Sequence, residues 1–328
     1  MDKLKISVAL AVYNGSKFIK EQVLSILEQS RCPDELIIVD DCSSDDSWQI
    51  IKELEDQFPE IIHSTKNQSN IGYVGTFNIA LSKATGDLIF LSDQDDFWYS
   101  NKIEEVVKFS NLNPQYSVIQ HDVDLVDERL VKSGFTFFGQ IESVNTSIES
   151  AVLGCGMVIR KTFLQKCLPI PSEFIAHDIW INEFAEQFDL KGILPLALIA
   201  YRRHQANESG HVLFSQKKLS PIEFKLNYYV EIFKRDKKST LERRLIDRKL
   251  TQTRYVEFSK DPNFEFDSLL SRKLTEIQAE IECLEMRSSI KKKSFILKIL
   301  GFSQFAIQGG YKNSLGIKSY LRDLSGLS

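Results

Sequence analysis

Short apolar runs rich in β-branched residues alternate with stretches of helical period over the first two hundred residues. Ile6–Val12 and residues 36–39, 61–64 and 88–91 read as buried strands. Between them, residues 18–30 carry Phe18, Ile19, Val23, Ile26 and Leu27 on one helical face, and 47–58 and 76–83 keep the helical period. Such alternation predicts βαβ units and a mostly parallel sheet covered by helices on both faces. Ligands of these sheets bind beyond the C-terminal ends of the strands. Downstream the pattern loosens into a helix at Lys102–Leu112, strands at 116–120, 151–159 and 193–201, a loop at 134–145 and a helix at 177–188. Past residue 215 the glycine and β-branched content falls. There Leu274, Ile277, Ile281 and Leu284 recur at helical spacing, so the expected division is an α/β domain over 1–214 and a mainly helical region over 215–328.

The strand ends are polar and acidic. The first runs into Tyr13-Asn14-Gly15, the second into Asp40-Asp41-Cys42-Ser43-Ser44-Asp45-Asp46, and the strand at 88–91 into Ser92-Asp93-Gln94-Asp95-Asp96. Clustered carboxylates repel one another without a cation, and hard divalent ions take oxygen ligands together with substrate phosphates. One acidic turn alone more often caps a helix. Two at the same sheet edge favour cation-assisted binding of an anionic ligand. No G-x-G-x-x-G follows the first strand and no G-x-x-x-x-G-K-[ST] occurs, which argues against dehydrogenase and P-loop NTPase chemistry.

In order along the chain stand Tyr13-Asn14-Gly15, Val39-Asp40-Asp41-Cys42-Ser43-Ser44-Asp45, Asn70-Ile71-Gly72, Gly86-Asp87 and Leu91-Ser92-Asp93-Gln94-Asp95-Asp96-Phe97-Trp98. Gly154-Cys155-Gly156-Met157, His177-Asp178-Ile179-Trp180 and Tyr201-Arg202-Arg203-His204 followed by Gln205 to Gly210 continue the series. Over roughly residues 4–210 this set resembles the family 2 glycosyltransferases of the GT-A fold, in particular the rhamnosyltransferase-like branch that builds bacterial surface polysaccharides such as O-antigen and capsule. The resemblance implies a nucleotide-diphospho-sugar transferase fold, Rossmann-like, with a mixed and mostly parallel sheet flanked by helices and a helical C-terminal extension. It implies that Asp41 and Tyr13, with Asn14, Asn70 and Gly72, form the donor nucleotide site and that Asp93 lies near the ribose. Asp95 would hold Mn²⁺ or Mg²⁺, joined by His204. Arg202 would sit in a segment closing over the diphosphate, Trp98 and Trp180 would wall the cleft, and Asp178 would be the catalytic base of an inverting transfer. His177, beside it, reads as packing.

The implied donor is dTDP-L-rhamnose, with a UDP-hexose or UDP-N-acetylhexosamine as the alternative, and the implied acceptor is a glycan on a lipid diphosphate. A non-catalytic sugar-nucleotide-binding protein is the competing class; it would lack the base or metal carboxylate, whereas Asp95 and Asp178 are both present. A nucleotidyltransferase would want a glycine-rich basic loop near the start, for which Val12-Tyr13-Asn14-Gly15-Ser16-Lys17 is poor. The chain departs from the branch at Cys42, where the family has glycine; a left-handed turn there would strain a side chain.

Charge adds an asymmetry to this picture. Residues 1–214 hold 18 Lys and Arg against 31 Asp and Glu, whereas 215–328 hold 23 against 14. A basic tail on an acidic body suits an anionic membrane face better than nucleic acid, and solvated helix faces explain it equally well. Within the tail, Lys291, Lys292 and Lys293 stand beside Phe295, Ile296, Leu297, Ile299 and Leu300, as in an interfacial helix. The alternatives are packing on the catalytic domain or a homodimer through the Leu274–Leu284 stripe. Five cysteines without a CxxC pair, and an apolar stretch at 6–11 too short for a signal peptide, predict a cytoplasmic protein, peripheral at most on the inner membrane face. In that compartment the Asn207-Glu208-Ser209 sequon carries no meaning.

Overall fold

The computed structural model describes residues 4–204, 212–224, 239–261, 267–312, 319, 320 and 323. The chain divides into two compact units, 1–224 and 225–328.

In the first unit, β1 (Ile6–Val12), β2 (Glu35–Asp40), β3 (Ile62–Lys66) and β4 (Leu88–Ser92) alternate with α1 (Ile19–Leu27), α2 (Ser47–Gln57) and α3 (Gly72–Lys83). These are the strands and helices expected from the apolar runs, and they pair in parallel in the order β3-β2-β1-β4. β1, β2 and β4 are almost wholly buried, which is why their sequences are continuous apolar runs. Then follow β5 (Phe97–Trp98), α4 (Lys102–Leu112), β6 (Val118–Val126), β7 (Lys132–Thr136), α5 (Phe137–Ser143), β8 (Met157–Arg160), α6 (Lys161–Cys167), α7 (His177–Gln187) and β9 (Lys191–Arg202). They extend the sheet past β4 as β8-β6-β9-β5, with β7 on β6. β8 is antiparallel to both β4 and β6, whereas β9 runs parallel to β6. The result is a mixed, mostly parallel sheet flanked by helices.

Three expectations change here. The strand predicted at 116–120 extends to Val126, because Gln120, His121 and Asp122 are buried within the sheet. Asp122 Oδ1 accepts the Val123 and Phe138 N–H groups at 2.8 Å, which offsets part of the burial that still raises its pKa. The loop predicted at 134–145 is instead the end of β7 and α5, whose N-terminus is capped by Thr136 Oγ1 accepting from Gly139 N–H. The strand predicted at 151–159 is confined to β8. Before it, the Gln120 side-chain amide accepts from Leu153 N–H and donates to Leu153 O, which draws the chain into a 3₁₀ turn at Gly154–Gly156.

The second unit contains α8 (Ser239–Phe258), α9 (Asp267–Lys291) and α10 (Phe295–Ile307). Ile277, Ile281 and Leu284 are buried within it and Leu274 is half-buried, so the expected stripe is interior packing and offers no free face for a dimer. α10 docks through Phe302 and Phe305 against Cys283, Ile290 and Tyr311. Beneath that contact, Arg287 makes a two-pronged ion pair with Asp323 at 2.7 and 2.8 Å. No helix among the described residues is long and apolar enough to cross a membrane.

Candidate active site

The loops after β1, β2 and β4 are joined at one edge of the sheet. Gln94 makes two hydrogen bonds to the Tyr13 backbone, accepting from its N–H at 2.8 Å and donating to its carbonyl at 3.0 Å. Asn14 N–H donates to Ser43 Oγ, Gly15 N–H to Ser47 Oγ and Ser16 N–H to Asp45. The sequence marked all three loops by their polarity. It did not mark Gln94 as the residue that holds the first to the third, because a glutamine between aspartates gives no such signal.

Asp41 is buried. Its carboxylate accepts from Asn67 Nδ2 at 2.8 Å, Ile71 N–H at 2.9 Å and Gly72 N–H at 2.8 Å. Gly72 needs φ of +78° to turn its N–H inward, and Asn70 Oδ1 accepts from the same group. Asp41, Asn70 and Gly72 are thus joined by hydrogen bonds, and Tyr13 in the loop after β1 is half exposed. Cys42 takes φ of +60°, so the turn does require the left-handed conformation that glycine adopts freely.

The turn after β4 holds most of the charge. Asp96 is buried, and its carboxyl is pushed well above the usual range by burial and by Asp95 and Asp93. Ligand atoms of Asp93, Asp96 and Cys155 lie within 4.8 Å of one another. Burial also pushes the Cys155 thiol well up. Asp95 Oδ2 is 2.8 Å from His204 Nε2. The Asp93 and Asp96 oxygens suit a hard divalent cation such as Mg²⁺ or Mn²⁺, and so, as a separate pair, do Asp95 and His204. Below this turn Lys102 is buried, with Nζ 3.4 Å from the Trp98 ring centroid and 3.1 Å from Cys155 O. Burial pushes its pKa down to about 7 against the pull of Cys155 and Asp96. Periodicity assigns Lys102 to a helix start and gives no hint that it is buried.

Arg202 differs from expectation. It is buried at the end of β9, where Nε donates to Asp95 O at 2.8 Å, a terminal nitrogen donates to Glu128 O at 2.6 Å, and the other pairs with Glu21. Its own N–H donates to Asp96 Oδ1. With these donors committed, Arg202 fixes the acidic turn and does not reach over a ligand. Gln205 to Gly210, the remainder of that motif and its sequon, lie outside the described residues.

Asp178 stands in the first turn of α7, partly exposed, with Oδ1 accepting from Ile179 N–H. The 3₁₀ turn runs between it and the acidic cluster. A Cβ on Gly154 would lie 3.5 Å from Asp178 Oδ2 and 3.3 Å from His177 Nε2. His177 is buried and stacked on Phe77 at 3.9 Å; burial lowers its pKa despite the nearby Asp178. Trp98 and Trp180 do not wall a cleft. Both are fully buried, Trp98 over Lys102, and Trp180 between Phe174 and Phe184 with its indole N–H donating to Cys167 O.

The family model of Glycosyl transferase family 2 matches residues 7–167. The chain carries a family 2 glycosyltransferase domain. The dTDP-rhamnosyl transferase RfbG of Shigella flexneri is 29% identical over 221 residues, 61% of this chain and 73% of its own. Other curated relatives are matched over about half their length, 54% and 45% in two cases. Among solved structures, S. aureus TarS 1-349 in complex with UDP-GlcNAc superposes with a TM-score of 0.54 at 18% identity, covering 98% of this chain and 91% of that one. The mannosyltransferase PcManGT of Pyrobaculum calidifontis, in complex with GDP-Man and Mn²⁺, gives 0.52 at 13% identity, covering 99% and 85%. At such identities the structures establish the fold alone, which is the GT-A architecture. Within the glycosyltransferase domain, the family match takes in all three strand-end loops and the Gly154–Gly156 turn.

Proposed function

We propose that the protein transfers a sugar from a nucleoside-diphosphate donor to a hydroxyl of a growing, lipid-diphosphate-linked surface glycan, with inversion at the anomeric carbon. One observation carries the reading: a single short turn has the acidic cluster against Cys155 and the Asp178 carboxylate against Gly154. Groups suited to a leaving diphosphate and a carboxylate suited to a base stand on either side of that turn, which supports the reading.

The loop of Tyr13 and Asn14 and the hydrogen-bonded set of Asp41, Asn70 and Gly72 receive the nucleoside, and Asp93 lies toward its ribose. A divalent cation, Mn²⁺ or Mg²⁺, would be held by Asp95 with His204 and supplies neutralisation of charge on the departing diphosphate. Asp178 accepts the proton of the acceptor hydroxyl as that oxygen forms its bond to the anomeric carbon. The bond from that carbon to the diphosphate oxygen breaks on the opposite face, and the nucleoside diphosphate leaves, so configuration inverts without a covalent enzyme intermediate. Arg202 holds the acidic turn from behind, and Lys102 holds the Gly154–Gly156 turn through Cys155 O. The likeness to RfbG supports dTDP-L-rhamnose as donor.

Donor turnover with each of dTDP-rhamnose, UDP-hexoses and UDP-N-acetylhexosamines tests this. Asp178→Asn is expected to lower kcat by about 10²- to 10⁴-fold while donor affinity stays within twofold. Equal loss of donor binding would remove Asp178 from the base role, and turnover of a UDP-sugar alone would replace the rhamnosyl assignment.

A further inference from the structure

α10 carries an apolar face that its own unit leaves bare. The helix is anchored by buried Phe302 and Phe305, whereas Ile296 is 70%, Leu297 55%, Leu300 60% and Ile307 86% exposed. At 100° per residue, Ile296, Leu300 and Ile307 fall within about 40° of one another, on the side away from the two phenylalanines. Ile299 adds to the rim of the same face. A contiguous exposed aliphatic surface of this kind marks an interaction site.

Charge selects the occupant. Residues 291–312 contain five lysines and no Asp or Glu, and Lys292 and Lys293 are exposed just ahead of the helix. Thirteen residues make a helix about 20 Å long, too short for a hydrocarbon core of about 30 Å. An apolar face with Lys292 and Lys293 exposed just ahead of it matches a bilayer surface carrying anionic headgroups, with the aliphatic side chains at the acyl boundary and these lysines among the phosphates. Nucleic acid would satisfy the lysines and leave the isoleucines in water.

We infer that α10 is an in-plane anchor that docks the second unit on an anionic lipid surface. This goes beyond the transfer chemistry and is independent of it.

The test is co-sedimentation of the full chain with vesicles of phosphatidylcholine alone and of phosphatidylcholine with 30% phosphatidylglycerol, alongside light scattering across protein concentration. Binding is expected on the mixed vesicles, weak on phosphatidylcholine and reduced by 0.5 M salt. Lys292→Gln with Lys293→Gln should lower the partition coefficient about 25-fold, at about fivefold per lysine. Ile296→Ser, Leu300→Ser and Ile307→Ser together should lower it more than tenfold at unchanged charge. All these side chains are outside the catalytic machinery, so nucleotide binding should persist in both variants, and native helical circular dichroism with an unchanged melt certifies the folding of the second unit. No binding of the native chain to the mixed vesicles overturns the inference, as does binding indifferent to the triple serine change. A concentration-dependent dimer that the serine variant abolishes, without vesicle binding, assigns the face to a second copy instead.

Discussion

His177 and Asp178 are neighbours in sequence with different surroundings, and one substitution separates their roles. His177 is buried and stacked on Phe77, and neither ring nitrogen has a hydrogen-bond partner among the described residues. His177→Phe keeps the stacked ring and removes two buried polar atoms. Replacing unpaired polar atoms by an apolar group of similar shape is neutral to stabilising, by up to about 2 kcal/mol. A pH term adds to this. Burial holds the folded pKa of His177 below its ordinary 6.5, so as pH falls through 6.5 the unfolded chain takes up the proton first. Stability is therefore lost below that point. Between pH 7.5 and 5.5 the loss from one such histidine is at most about 1.4 kcal/mol. The Phe variant lacks this contribution; the native chain shows it together with that of His121, which burial also keeps neutral. Urea unfolding at the two pH values reads the difference, and in melts it amounts to about 3–5 °C. Transfer by the variant should stay within about threefold of native. A packing role for His177 is refuted if His177→Phe unfolds more easily at pH 7.5, if its loss between the two pH values equals the native one, or if transfer falls as far as in Asp178→Asn.

Two further substitutions probe the neighbouring turns. Gly154→Ala sets a methyl 3.3 Å from His177 Nε2, tight enough to push that ring by a few tenths of an ångström, and in ordinary contact at 3.5 Å with Asp178 Oδ2; a shift passed on to the neighbouring base at the start of α7 should lower kcat about 3- to 10-fold, with nucleotide affinity unchanged in calorimetry. Cys42→Gly relieves a side chain held at φ of +60° and should raise stability by about 0.5–1 kcal/mol in urea titrations, with no change in nucleotide selectivity.

The parallel half of the sheet was legible because β1, β2 and β4 are buried on both faces and so must be continuous apolar runs. Their ends were legible because polar, acidic loops follow them, and the fold joins those loops at one edge. β6 was read short because Gln120, His121 and Asp122 resemble a surface segment; only their interior hydrogen bonds permit them in a central strand. β5, two residues long, leaves no periodic trace. Trp98, Trp180 and Arg202 were misassigned for a common reason. A motif fixes where a residue falls in the chain, whereas the direction of its side chain depends on partners remote in sequence, such as Cys167 for Trp180 and Glu21, Asp95 and Glu128 for Arg202. Lys102 is the same case, a polar residue whose burial follows from Cys155 and the Trp98 ring.

If the joined strand-end loops bind a nucleoside diphosphate with a divalent cation at Asp95, ligand and metal should stabilise the fold together. Thermal shift against dTDP, UDP, GDP and CDP, each with and without Mn²⁺, tests it most directly. One diphosphate at 100 times its dissociation constant should stabilise the fold by about 2.7 kcal/mol, with the shift dependent on Mn²⁺ and absent in Asp95→Ala. A folded protein that shifts with none of the four, or that shifts equally without metal and in Asp95→Ala, contradicts the account.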